Sequence, residues 1–358
     1  MFPYCTSALV ISIGDCGADT KIPPVGPRSK HRTLRLCHFI PRKSEERATA
    51  SAARLHAVPA SSPSPADRTL QAVVPAVWAA LSPLGRRLFQ PANFLPQQTA
   101  DAKGTAYNGT IGQITDGRGK PLPLEPMAGA LSGLPQAARD RSFLYSPVEG
   151  IAEVRAAWRE RQRRGIHEDL PSSLPIATSG RELAISALAE IFLQPGRTAL
   201  VASPDPAAFE DLLTLHTEAR VAPAVLDGET LAAALGQLPA GEPGFLLISG
   251  VDLADRADVV QALEAADRPL IVVCDAGETL DPRSWFWDLV GRAPHVVPFL
   301  VDGPEESFPG AGLAFITLPF APGSAVASAL ESKVKTLLRA VVGSPPSLAQ
   351  MIWLESTH

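Results

Sequence analysis

Short apolar segments alternate with amphipathic segments between about residue 144 and residue 342. The apolar runs predict strands at Thr198–Ala202, Gly244–Ser249, Pro269–Cys274, Val296–Val301 and Ala314–Leu318. The amphipathic or longer segments predict helices at Gly150–Arg163, Leu183–Phe192, Ala207–His216, Ala254–Ala266 and Ala325–Val342. Buried strands separated by helices are typical of parallel sheets that are covered on both faces. The pattern therefore predicts an α/β fold with a mainly parallel sheet flanked by helices.

The N-terminal part of the chain differs from this pattern. Residues 1–68 show no sustained periodicity and end in the proline-rich run Pro59–Pro65, which predicts a disordered N-terminal extension. Its basic, Ser- and Ala-rich composition also fits an organelle transit peptide or a start upstream of the native one. From Thr69 an apolar pattern at helical spacing predicts one helix that ends near Pro83.

Composition limits the possible function classes. The chain has 358 residues, of which 46% are hydrophobic, enough for a large core. Residues 69–358 carry 22 Lys and Arg against 32 Asp and Glu, and such an acidic surface argues against nucleic-acid binding. No apolar run reaches the roughly 18 residues that a membrane span needs. The four cysteines form no CxxC pair, which favours unpaired thiols in a reducing, cytoplasmic setting.

Several segments, none specific alone, occur in an order and spacing that resemble one family. They are Leu81–Phe89, Asn108–Gly112, Phe143–Gly150, Ala177–Gly180, Gln194–Val201 and Ser203–Asp205. Together they resemble the pyridoxal-phosphate-dependent aminotransferases of class I/II and fold type I, over roughly residues 70–345. The resemblance implies an N-terminal arm with part of a small domain at 69–130, and a large cofactor-type domain at 131–324. An interdomain helix and a truncated C-terminus would then occupy 325–358.

The segment Ser179-Gly180-Arg181 opens a predicted apolar helix. Backbone N–H groups and the helix dipole favour an anion at such a position, and Arg181 adds a cation that could pair with a phosphate. The resemblance implies that this is the cofactor-phosphate loop, although the family usually has a small hydroxyl residue in place of Arg181. An ordinary helix cap by Thr178 or Ser179 is the alternative interpretation.

Asp275 and Tyr145 complete the candidate cofactor-binding set. The resemblance implies that Asp275, which follows an apolar strand, holds the pyridine nitrogen protonated; helix capping is the alternative. Tyr145 matches the family's tyrosine that reaches the phosphate bound by the other subunit of a dimer. A packed core or interface tyrosine with a satisfied hydroxyl is the alternative for that residue.

The chemistry of the family also requires a lysine, which forms the Schiff base and moves the proton. No lysine lies between Lys120 and Lys333, and Glu306 occupies the position that the resemblance assigns to it. Gly312 stands where the family has a phosphate-binding arginine. The asparagine for the ring oxygen and the C-terminal lobe for the substrate carboxylate have no counterpart either. No catalytic residue is therefore assigned.

Three interpretations follow from these residues. The first is an aminotransferase homologue that is inactive or nearly so, which still binds pyridoxal phosphate non-covalently through Gly180 and Asp275. If it were active, its substrates would be an amino acid and a 2-oxo acid. The second is a non-enzymatic interaction protein, either a homodimer or a heterodimer with an intact paralogue. A truncated product without a function of its own is a third interpretation.

Overall fold

The computed structural model describes nine ranges of the chain. They are residues 65–88, 107–108, 115–116, 120–122, 125–166, 169–250, 257–277, 285–304 and 308–357. The predicted disordered extension at 1–68 thus lies almost entirely outside the described residues, as does Glu306.

A seven-stranded mixed sheet forms the centre of the molecule. Its strands are β3 (Ile176–Thr178), β4 (Thr198–Ala202), β5 (Arg220–Pro223), β6 (Gly244–Ser249), β7 (Leu270–Gly277), β8 (Val296–Asp302) and β9 (Ala314–Thr317). Their order is β3-β9-β8-β7-β6-β4-β5. Neighbours from β8 to β5 are parallel, and β9 runs antiparallel to both β8 and β3. The prediction of a mainly parallel α/β sheet is confirmed.

A separate pair of two-residue strands precedes the sheet. It consists of β1 (Tyr107–Asn108) and β2 (Thr115–Asp116), which are antiparallel. Their residues lie in the part of the sequence that the resemblance assigns to the N-terminal arm and small domain.

The described residues form thirteen helices. They are α1 (Pro65–Val73), α2 (Pro75–Ala80), α3 (Pro83–Arg87), α4 (Glu125–Gly133), α5 (Gln136–Ser142), α6 (Ala152–Gln162), α7 (Arg181–Phe192), α8 (Glu210–Thr214), α9 (Gly228–Gly236), α10 (Ala257–Glu264), α11 (Trp285–Leu289), α12 (Ala325–Val341) and α13 (Ser347–Glu355). Within the described residues, no helix is both long and apolar enough to cross a membrane.

Each face of the sheet has its own hydrophobic core, because successive strand residues point to opposite faces. Val273 of β7 faces a core that α7 and α12 cover, whereas Cys274 faces a core covered by α9, α10 and α11. Trp285 and Trp287 of α11 are buried in this second core. The β-branched and apolar composition of β7 fits a strand that is covered on both sides.

A third core joins the segments outside the sheet to its β9 side. Trp158 of α6 stacks on Phe315 of β9 with ring centroids 4.6 Å apart. Trp353 of α13 contacts the Trp158 ring edge-on, with centroids 4.8 Å apart. Met127 of α4 and Ala138 of α5 pack into the same core. The C-terminal helix α13 is thus anchored to the sheet through aromatic contacts.

Two predicted helices were wrong in detail. The single helix from Thr69 is interrupted at Val74 and at Leu81, because proline lacks the N–H that a continuing helix needs and restricts the residue before it. The predicted helix Ala207–His216 is a 3₁₀ turn at Pro206–Phe209 followed by the short helix α8. The apolar residue Val73 is also 72% exposed, so α1 does not present a buried stripe there.

Candidate functional site

Asp275 lies near the carboxyl end of β7, and 3% of its side chain is exposed. The strand is longer than predicted, so Asp275 sits within it. The register places Ser249 of β6 directly opposite. The Ser249 hydroxyl donates a hydrogen bond of 2.7 Å to Asp275 Oδ2, and the Gly277 amide donates one of 3.4 Å to Oδ1.

Arg181 is the third hydrogen-bond partner of the Asp275 carboxylate. Arg181 is the first residue of α7, and its Nη1 donates to Asp275 Oδ1 at 3.0 Å. The Arg181 side chain is 26% exposed, so this ion pair is partly shielded from water. The structure thus brings together two residues that the sequence places 94 positions apart.

The predicted phosphate loop begins α7 as the sequence implies. Gly180 is the N-terminal cap, with a φ of +95° that a residue with a side chain rarely adopts. The Thr178 hydroxyl donates to the Gly180 carbonyl oxygen at 3.0 Å. Neither Thr178 nor Ser179 is therefore the cap residue of α7. The first-turn N–H groups of this helix have no partner within the helix, as at any helix start.

Tyr145 is not close-packed against the rest of the chain. It is 94% exposed, and its neighbour Phe143 is 89% exposed. The core alternative for Tyr145 is therefore wrong for the single chain, since such a residue would be buried within it.

The two lysines that follow the lysine-free stretch both lie on α12. Lys335 Nζ forms an ion pair with Glu149 Oε2 at 3.0 Å, and Lys333 is exposed. Gly312, at the place of the family's arginine, adopts a φ of +52°, with no atom within 4 Å of an added Cβ. Glu306 and most of the loop that replaces the family's asparagine segment lie outside the described residues.

A second carboxylate at the same edge of the sheet was not predicted as part of a site. Asp302 ends β8, where Trp158 Nε1 donates to its Oδ1 at 2.9 Å and Gln162 Nε2 donates to both of its oxygens at 3.0 Å. Burial raises the pKa of Asp302 to about 7, and repulsion by Asp275 acts in the same direction. Hydrogen bonds from Gln162 and Trp158 and the charge of Arg161 oppose this rise.

The sequence did contain a signal for this cluster. Trp158 and Gln162 are four residues apart in a predicted helix, so they lie on one helix face. Asp302 lies four residues before Glu306, in the segment where the resemblance places the lysine. Val301 faces the core beneath α7, and Asp302 faces the opposite side, where α6 contacts it.

These residues fit pyridoxal phosphate poorly. A protonated ring nitrogen would donate to Asp275, but Oδ1 of that carboxylate is already paired with a guanidinium and Oδ2 with a hydroxyl. Lys335, which is paired with Glu149, lies on α12, and this helix packs on α7. It therefore does not lie at the carboxyl end of β8.

Comparisons with known proteins give matches at the level of structure. No family model matches the sequence, and no curated protein sequence is similar to it. An aminotransferase from Anaerococcus prevotii superposes with a TM-score of 0.63 at 14% identity, over 77% of this chain and 75% of that one. An aromatic-amino-acid aminotransferase from Burkholderia pseudomallei, covalently bound to pyridoxal phosphate, gives 0.54 at 19% identity, over 76% and 74%.

A third solved structure is also similar to this chain. It is the multiple substrate aminotransferase from Thermococcus profundus, with a TM-score of 0.53 at 13% identity, over 77% of this chain and 70% of that one. Structural similarity at identities this low establishes the fold, but it does not transfer an activity. The chain therefore has the α/β fold of the fold-type I aminotransferases.

Proposed function

We propose that this chain is an aminotransferase homologue that has lost transamination. The observation that carries the proposal is the absence of lysine between Lys120 and Lys333, with Glu306 at the Schiff-base position of the resemblance. A carboxylate cannot form an imine, so the covalent route of this cofactor is closed. The pairing of Lys335 with Glu149 supports the proposal, because an amine held in an ion pair is a poor nucleophile.

Reduction with borohydride followed by intact mass tests this proposal. The purified protein is incubated with one equivalent of pyridoxal phosphate, reduced and weighed, alongside a Lys333→Arg/Lys335→Arg variant. We expect no stoichiometric adduct on either protein and no transfer of an amino group from an amino acid to a 2-oxo acid. An adduct of one cofactor mass that disappears in the double variant would show that a lysine of α12 reaches the cofactor, and the proposal would be wrong.

A second candidate function is association with another subunit. It is favoured by the exposure of Phe143 and Tyr145, two large aromatic side chains that are two residues apart on one segment. Exposed aromatic clusters are typical of interaction surfaces. By the resemblance, Tyr145 would face the other subunit of a dimer, and the partner we commit to is a second copy of this chain. Co-purification of an aminotransferase paralogue in place of a homodimer would identify the heterodimer instead.

A further inference from the structure

The side chain of Arg181 connects two points that the aminotransferase resemblance assigns to opposite ends of the cofactor. Its backbone lies at the N-terminus of α7, in the phosphate loop next to Gly180. Its guanidinium lies on Asp275, 3.0 Å from Oδ1, where the resemblance places the ring nitrogen. The side chain therefore runs from the phosphate position toward the ring-nitrogen position.

We propose that Arg181 closes the cofactor-type site from within, its guanidinium replacing the ring nitrogen as the hydrogen-bond donor to Asp275. This inference rests on the proposed descent from aminotransferases. A guanidinium and a protonated pyridine ring share the relevant chemistry, since both are planar cations that donate an N–H to a carboxylate. Asp275 is thus satisfied without a cofactor.

The contacts around Asp275 show why the two cations compete. Ser249 holds Oδ2, and Arg181 takes Oδ1 with the Gly277 amide at a longer distance. A buried carboxylate loses its charge-assisted hydrogen bond if the arginine leaves, and a charge-assisted bond is about twice as strong as a neutral one.

The opposite role for Arg181 makes the proposal testable by the sign of one effect. The sequence alone suggests that Arg181 pairs with the cofactor phosphate, in which case its removal weakens binding. If the arginine closes the site, its removal strengthens binding, because Asp275 becomes available to the ring nitrogen. The two roles predict changes in opposite directions.

Pyridoxine phosphate is the suitable probe, because it has the ring and the phosphate but no aldehyde. It cannot form an imine with any lysine, so its binding is independent of whether a Schiff base forms. We would measure its dissociation constant by isothermal titration calorimetry for the full chain and for Arg181→Ser, which introduces the kind of residue the family has there. The expected result is binding about tenfold tighter, or more, in Arg181→Ser.

Two further variants separate closure from a general effect of charge. Arg197 is a matched control: its side chain is 23% exposed and pairs with Glu242 at 3.2 Å, but it precedes β4 at the amino end of the strand. Arg197→Ser should leave the dissociation constant of pyridoxine phosphate unchanged. Asp275→Asn added to Arg181→Ser should abolish the gain, because the ring nitrogen then loses its charged acceptor.

The proposal is overturned if Arg181→Ser binds the probe as tightly as the unaltered chain, more weakly or not measurably. Each of these results would show that removing Arg181 does not make Asp275 available to the ring nitrogen. Circular dichroism would establish that each variant is folded. If Arg181→Ser is not, Arg181→Ala removes the same donor to Asp275 and should also tighten binding. A covalent pyridoxal phosphate adduct would instead refute the loss of transamination, and it would leave the sign of the Arg181 effect to decide on closure.

Discussion

At the residue scale, the ionisation of Asp302, which is hydrogen-bonded to Trp158 and Gln162 of α6, makes the stability of the fold depend on pH. Its pKa is raised from 3.8 to about 7, mainly by burial, so the folded protein favours the protonated form. A raised carboxyl pKa means that the stabilising contribution is fully present below the ordinary value and is lost as the pH rises through the folded value. We expect the free energy of unfolding contributed by this group to fall between about pH 4 and pH 7.

The Asp302→Asn variant tests this expectation. Asparagine can accept the hydrogen bond from Trp158 and never ionises, so the difference in stability between wild type and variant should shift in favour of the variant as the pH rises. Urea unfolding at several pH values between 4 and 8 measures that difference. Asp169→Asn is the control, because the Asp169 side chain is fully exposed. A difference that is constant with pH would contradict the raised pKa.

The sequence located single residues of the site better than their partners. Asp275 follows a run of apolar β-forming residues, so its place at the carboxyl end of a strand could be predicted from local pattern. Its ion pair with Arg181 could not, because it depends on where α7 crosses the sheet and on the direction of a long, flexible side chain. The sequence predicted Ser249 only as the last residue of a strand, and not as a partner of Asp275.

At the element scale, Gly150 fixes the junction of three segments. It has a φ of +100°, and an added Cβ would lie 2.6 Å from the Cβ of Ala177 in β3 and 3.1 Å from Gln350 Oε1 in α13. The same Gln350 oxygen accepts the Ile151 amide at 2.7 Å, just before α6 begins. A side chain at this position therefore meets both a backbone conformation and neighbours that exclude it.

We expect Gly150→Ala to lower the free energy of unfolding by about 2 kcal/mol or more, from combined strain and overpacking. Gly196→Ala is the matched control, since Gly196 has a φ of +77° but no atom within 4 Å of its added Cβ. That control should lose only about 1 kcal/mol, from the backbone conformation alone. Chemical denaturation of both variants gives the comparison, and equal losses would show that the contact with Ala177 does not matter.

Arg155 of α6 joins the segment before β3 to α12 through its guanidinium. Its Nε donates to the Pro175 carbonyl oxygen at 2.6 Å, and its Nη2 pairs with Glu331 of α12 at 2.9 Å. We expect Arg155→Ala to cost about 3 kcal/mol of unfolding free energy, because the pair is largely buried. Arg141→Ala, which breaks an exposed pair with Glu153, should cost only about 0.5 kcal/mol. Similar losses in thermal or urea unfolding would contradict a structural role for Arg155.

The strands β4 and β6 were predicted more accurately than the helices after Thr69, for a physical reason. The apolar runs that form β4 and β6 are bounded by turn residues on both sides, and the predicted limits agree with the structure. The helical pattern after Thr69 has equally regular apolar spacing, but Pro75 interrupts the backbone hydrogen bonds. Spacing describes which side chains share a face, whereas proline determines whether the helix continues.

At the scale of the whole molecule, the segment Phe143–Tyr145 exposes large apolar side chains, whereas hydrogen bonds hold its backbone. The Ser347 hydroxyl donates to the Leu144 carbonyl oxygen at 2.7 Å, and the Ser146 hydroxyl donates to that of Pro345 at 2.9 Å. The backbone of the segment is thus fastened to the start of α13, while its aromatic side chains face outward. A rigid backbone with exposed aromatic groups lowers the entropic cost of association.

We expect the chain to self-associate through this segment, and the Phe143→Ser/Tyr145→Ser variant to shift the equilibrium toward monomer by at least about tenfold in dissociation constant. Removing two aromatic side chains from an interface removes apolar area that association would bury, while leaving the fastening of Leu144 and Ser146 intact. Sedimentation velocity over a range of concentrations measures the change. Val225→Ser is the control, because Val225 is 59% exposed after β5, away from this segment in sequence. A wild-type chain that stays monomeric at all concentrations would exclude the homodimer, and an unchanged dimer in the variant would place its interface elsewhere.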